Sequence, residues 1–152
     1  MRRLETRGVH AEVLESDKLR QVLTPQPTYS EAERDHFYSV MVYIGELLSR
    51  NGVNVIFDAT ANRREYRDHA RALIPVFVEV YVKCPLEVAV QRDHKGIYAM
   101  ARTGRSSTVP GVQSIYEEPS QPEVTVESDR LSPDEAADRI LQALVERGLF
   151  PG

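Results

Sequence analysis

Apolar and polar positions along the chain switch repeatedly between two spacings, and the switches predict alternating strands and helices. Residues 9–15 read as a short strand after a helix end at Gly8. Residues 17–23 can form a short helix, stopped by Pro25 and Pro27. Ser30 with Glu33 three residues on predicts a capping box. Phe37, Val40, Met41, Ile44, Leu47 and Leu48 then form one apolar stripe on the helix it opens, and Gly52 closes that helix. Residues 53–59 are a near-continuous apolar run ending at Asp58, the form of a buried parallel strand. Residues 63–73 read as a helix with Arg64, Arg67 and Arg71 on one face. A second buried-type strand is predicted over 76–82, with a helix from Pro85. The Gly-, Ser- and Pro-rich stretch 103–122 predicts a mobile lid loop, and residues 124–126 a last short strand. Ser132, Pro133 and Glu135 supply N-cap, first-turn proline and capping glutamate for a final helix ending at Gly148. Its Ala136, Ile140, Leu141, Leu144 and Val145 face inward.

Strands alternating with helices define an α/β domain with a mainly parallel sheet. In such sheets ligands bind at the carboxyl ends of the strands, where Glu15, Asp17, Asp58 and the loop after Cys84 fall. The 152 residues amount to one domain, predicted to span 1–152. No apolar run approaches the roughly 18 residues a spanning helix needs, so no membrane-spanning segment or membrane partner is expected. A net charge of −4 argues against a general nucleic-acid binder. A single cysteine, Cys84, forbids an internal disulfide and reads as a buried structural thiol in a cytoplasmic protein. His10, His36, His69 and His94 lack metal-ligand spacing, so no metal site is assigned.

Three clusters can carry chemistry. Glu15-Ser16-Asp17 with Arg20 follows the first strand. A carboxylate there can take a proton from a hydroxyl, and an arginine one turn on can hold an anion; the plainer reading of Asp17 is a helix N-cap. Arg92-Asp93-His94-Lys95-Gly96, followed by Arg102, fits a lid closing over a polyanion or, more plainly, a solvated charged helix. Phe57-Asp58-Ala59-Thr60 ends a buried strand in an aspartate, as a Walker-B segment does and as many parallel strands do. Tyr29 can stack on a base or act as a hydrophobic staple.

Taken together, these residues resemble the adenylyl-sulfate kinases, P-loop enzymes that phosphorylate the 3′-hydroxyl of adenosine 5′-phosphosulfate (APS). The resemblance runs from about Gly8 to Gly148. It is most specific in Glu79-Val80-Tyr81-Val82 with Pro85-Leu86-Glu87, in Arg92-Asp93 with Lys95-Gly96-Ile97-Tyr98, in Ala101-Arg102, and in Tyr116-Glu117-Glu118-Pro119. Leu14 to Arg20 is similar to the family's "LDGDxxR", and Tyr29-Ser30 with Arg34 to its "FS…DR". The resemblance implies a three-layer P-loop NTPase-like fold, ATP as co-substrate with Mg²⁺, APS as acceptor, and a homodimer. It also implies roles. Asp17 would face the acceptor hydroxyl, Arg20 the phosphosulfate and Tyr29 the adenine, with Arg34 a second anion clamp. Phe37 would stand at a substrate-side position, Thr60 and Ala61 would line the substrate, and Lys95 would contact APS. Thr108 and Val109 would form the lid tip, and Arg92 and Arg102 would serve the nucleotide and lid.

The departures are as specific as the matches. Glu15 and Ser16 replace an aspartate and a glycine, and Phe37 an asparagine. Ala61 stands where bacterial members carry a phosphorylatable serine, and Val109-Pro110-Gly111 replaces "FTG". None of the eight glycines belongs to a G-x-x-x-x-G-K-[ST] loop. Against the resemblance, the first central strand, the ATP-gripping loop and part of a helix, about 20–30 residues, are missing upstream of Met1. The resemblance further implies that phosphoryl transfer by the 152 residues is impaired or absent. Two alternatives remain at this stage: a non-catalytic APS-binding or regulatory remnant, and a P-loop kinase of another small hydroxyl substrate.

Overall fold

The computed structural model describes residues 2–93, 96–103 and 109–149, with Arg102 described by its backbone alone. The chain divides into two compact units, Met1–Phe77 and Val78–Gly152.

The first unit holds helix α1 (Arg2–Glu5), strand β1 (Ala11–Glu15), helices α2 (Ser16–Leu23) and α3 (Glu31–Arg50), strand β2 (Asn54–Asp58) and helix α4 (Arg64–Leu73). β1 and β2 pair in parallel from Ala11 opposite Asn54 to Glu15 opposite Asp58. A parallel pair needs a long crossover, here supplied by α2 and α3. The core is Phe37, Tyr38, Met41 and Tyr66, against which Leu14, Leu19, Phe57, Ala59 and Ala61 pack. The buried face of α3 is Phe37, Tyr38, Met41, Val42 and Gly45, rotated from the expected stripe, and Leu47 is exposed. Gly45 explains the rotation. A Cβ there would lie 2.0 Å from Phe57 Cζ, so the helix can approach β2 closely only along that line.

The second unit holds strand β3 (Val80–Lys83), helices α5 (Leu86–Gln91) and α6 (Ile97–Arg102), strand β4 (Val124–Glu127) and helix α7 (Pro133–Glu146). β3 and β4 pair in parallel from Val80 opposite Val124 to Lys83 opposite Glu127. The predicted strand 76–82 thus begins four residues late, because its ladder starts only where β4 does. The Val124 amide donates to the Glu79 carbonyl at 3.2 Å, and no described strand flanks residues 76–79. Val124, Val126 and Leu141 are buried where α7 covers β4.

Helix starts follow the sequence with two corrections. Ser132 and Glu135 form the full reciprocal box on α7. At α3, Ser30 accepts from the Glu33 amide, but Glu33's carboxylate does not return to Ser30. Asp17 is not an N-cap: β1 runs straight into α2 with Glu15 at the cap, leaving Asp17 in the first turn, where a carboxylate suits the helix dipole. Cys84 is half-buried rather than buried.

Candidate functional site

The carboxyl end of the β1–β2 pair gathers the first cluster. Glu15 and Asp58 are register partners at the last rung, and α2 starts at the next residue, carrying Asp17 and Arg20. Glu15 is engaged by Lys18 Nζ at 2.6 Å. Arg20 is only 9% exposed, an unusual burial for an arginine, and it is compensated on three sides. Its guanidinium lies 3.8 Å over the Phe37 ring and 5.1 Å from the Tyr29 ring centroid, and Nη1 approaches Glu33 Oε1 at 3.4 Å.

Tyr29 completes the group. The Arg34 guanidinium stands 5.5 Å from its ring centroid, and Arg34 Nε donates to the Tyr29 carbonyl at 3.1 Å. Tyr29 adopts φ 54°, a left-handed conformation that costs a non-glycine residue about 1–2 kcal/mol. The residue remains 39% exposed, which leaves room for a planar ligand beside it. Arg20, Tyr29 and Arg34 are therefore brought together as the sequence implies. Phe37 is not a contact surface: it is fully buried and serves as the platform under Arg20.

After β2 the chain turns through Thr60, which is exposed, and Ala61, which is strained at φ 38°. The Tyr38 hydroxyl accepts from the Ala61 amide at 3.0 Å, and Arg67 Nη1 donates to the Ala61 carbonyl. Tyr38 stacks on Tyr66 with centroids 4.4 Å apart, and the Tyr66 hydroxyl donates to Asp35 Oδ1 at 2.6 Å. Burial first, and the Asp35 hydrogen bond second, push the Tyr66 phenol up to about 12. Arg63 joins Asp35 and Glu65 at 3.3 and 2.7 Å and also pairs with Glu31. None of Tyr38, Asp35, Arg63 or Tyr66 stands out in the sequence. The one available signal was Gly45, which places Tyr38 on the same helix face one turn and three residues before it.

In the second unit, Arg92 Nη1 donates to the Ser128 carbonyl at 2.8 Å, and Asp93 Oδ2 accepts from the Ala99 amide at 2.9 Å. Val109 is buried rather than presented at a tip, and its amide donates to Gln113 Oε1 at 3.2 Å. Lys95, Thr108 and the side chain of Arg102 lie outside the described residues. No group of three or more His, Cys, Asp or Glu side chains able to hold a metal ion occurs among the described residues. Mg²⁺ commonly uses one or two carboxylates together with substrate phosphates, and Glu15 and Asp58, register partners at the strand ends, are a pair that could supply them. No helix among the described residues is long and apolar enough to cross a membrane.

Parallel strands ending in carboxylates, with a stacked and largely buried arginine beside an exposed aromatic ring, form a candidate site whose chemistry suits an anionic, ring-bearing ligand in an α/β protein. Comparison with known proteins narrows the class. The family model for adenylylsulphate kinase matches residues 1–127. The chain is 38% identical over 150 residues to the probable adenylyl-sulfate kinase of Pyrococcus abyssi, covering 99% of this chain and 86% of that one. It is 41% identical over 129 residues to the probable adenylyl-sulfate kinase of Archaeoglobus fulgidus, covering 85% and 83%. Among solved structures, the APS kinase CysC of Mycobacterium tuberculosis, in complex with AMPPNP and APS, superposes with TM-score 0.87 at 33% identity, covering 95% of this chain and 85% of that one. The chain belongs to the adenylylsulphate kinase family, and its fold is of the P-loop NTPase-like α/β kind.

Proposed function

We propose that the protein phosphorylates the 3′-hydroxyl of adenosine 5′-phosphosulfate, with ATP as co-substrate. The observation that carries this reading is the assembly of Arg20, Tyr29 and Arg34 beside the strand-end carboxylates, in a chain of this family. The Tyr29 ring packs on the adenine, and the two guanidiniums hold the phosphosulfate. Asp17 accepts the proton as the 3′-oxygen attacks the γ-phosphorus of ATP. The bond from that phosphorus to the β–γ bridging oxygen breaks, giving ADP and 3′-phosphoadenosine 5′-phosphosulfate. Mg²⁺ bound with ATP supplies charge neutralisation of the phosphates. Thr60 and Ala61 would line the acceptor; lid and nucleotide roles for Arg92, Lys95, Arg102, Thr108 and Val109 are carried by the resemblance alone, with Lys95 and Thr108 outside the described residues. A cytoplasmic homodimer is the proposed working form.

The missing G-x-x-x-x-G-K-[ST] pattern favours a second reading for the 152 residues taken alone: APS binding with little or no transfer. Incubation with ATP, Mg²⁺ and APS, followed by chromatographic assay of the 3′-phosphorylated product, separates the two. Binding with turnover supports the kinase, and binding without turnover supports the binding module. Failure to bind APS contradicts both.

A further inference from the structure

The same sequence pattern, serine followed three residues later by glutamate, opens two helices and is used differently in each. At α7 the Glu135 carboxylate returns to the Ser132 amide at 2.8 Å, the ordinary capping arrangement. At α3 the Ser30 amide is instead taken by Thr28 Oγ1 at 3.3 Å, which leaves the Glu33 carboxylate to reach past the cap. Glu33 Oε2 accepts from the Thr28 amide and hydroxyl, each at 2.7 Å. Oε1 accepts from the Tyr29 amide at 3.1 Å and faces Arg20 Nη1 at 3.4 Å. Tyr29 is therefore tied on both sides, its amide to Glu33 and its carbonyl to Arg34, and this double tether holds it at φ 54°.

We infer that Glu33 is the positioning residue of this site: one carboxylate fixes Tyr29 in its strained conformation and steers the Arg20 guanidinium over the Phe37 ring. The inference rests on the proposed APS site and adds how that site is pre-organised. Burial opposes ionisation of Glu33, but the bonds from Thr28 and Tyr29 and the charge of Arg20 hold its carboxyl below the usual value, so it is ionised at neutral pH. Its two oxygens spend their acceptor capacity on the residues that would grip the ligand. A glutamate serving only to start α3 would have no need of Arg20.

The test is a calorimetric titration of APS into the wild-type chain, Glu33→Gln, Arg20→Ala and the double variant, with Glu135→Gln as the ordinary-cap control. Glu33→Gln is expected to weaken APS binding about tenfold, the scale of a lost charge-assisted hydrogen bond. Adding it to Arg20→Ala should weaken binding by about threefold more rather than tenfold, because the part of its effect that passes through that arginine is already gone while the hold on Tyr29 is still lost. Glu135→Gln should leave APS affinity unchanged. Should Glu33→Gln not fold, Thr28→Val removes the hydroxyl bond that orients the Glu33 carboxylate while keeping the carboxylate itself, and a loss of about threefold is expected. Wild-type affinity in the variant that folds, or losses that multiply in the double variant, overturns the inference while leaving APS binding standing. No binding by the wild-type chain overturns the proposed function, and this inference with it.

Discussion

Tyr66 shows how a single side chain links the core to the loop after β2. Its ring stacks on Tyr38, its hydroxyl binds Asp35, and Tyr38 in turn holds the Ala61 amide. In the folded chain the phenol is raised from 10.0 to about 12, first by burial and then by Asp35. The unfolded chain therefore loses this proton first as pH rises. The stabilisation is complete below about pH 10 and disappears as pH climbs through about 12. Urea unfolding of the wild type and Tyr66→Phe as a function of pH checks this. Tyr66→Phe should be less stable by about 1 kcal/mol at neutral pH, and its stability should fall less steeply above pH 10. Parallel curves for the two proteins would contradict the assignment. The network itself was illegible in the sequence, because Asp35, Tyr38, Arg63 and Tyr66 meet only once α3 and α4 pack together.

Among the elements, the parts set by local chemistry were legible and the parts set by pairing were not. The Ser132 capping box and the stops at Gly52 and Gly148, both at positive φ, depend on a few neighbouring residues and stand as expected. The start of β3 depends on where β4 begins, some forty residues on, and was misplaced. The buried face of α3 depends on Phe57 entering above Gly45, and the apolar count alone put it one position off. Gly45→Val is therefore expected to cost about 2–3 kcal/mol by overpacking against Phe57, read as a fall in the urea midpoint with an unchanged slope. An unchanged midpoint would mean that α3 does not approach β2 so closely. Ser132→Ala should remove about 1 kcal/mol through loss of the cap, measured the same way.

At the scale of the whole molecule, each of the two units carries its own parallel strand pair, and the candidate ligand groups of the first lie at its carboxyl end. Asp17 and Arg20 were legible as a pair just after a strand end, whereas grouping Tyr29 and Arg34 with them came from the resemblance rather than from spacing. The platform role of Phe37 and the tethering role of Glu33 were not readable, since both follow from how α2 meets α3. Everything proposed for the first unit depends on its binding adenosine 5′-phosphosulfate through the Arg20–Tyr29–Arg34 group. Calorimetric titration of APS without ATP, compared with AMP and repeated on Arg20→Ala, tests it most directly. Saturable binding of APS, weaker binding of AMP, and at least about a tenfold loss of APS affinity in the variant are expected. Equal affinity for APS and AMP, or equal APS affinity in wild type and Arg20→Ala, would contradict it.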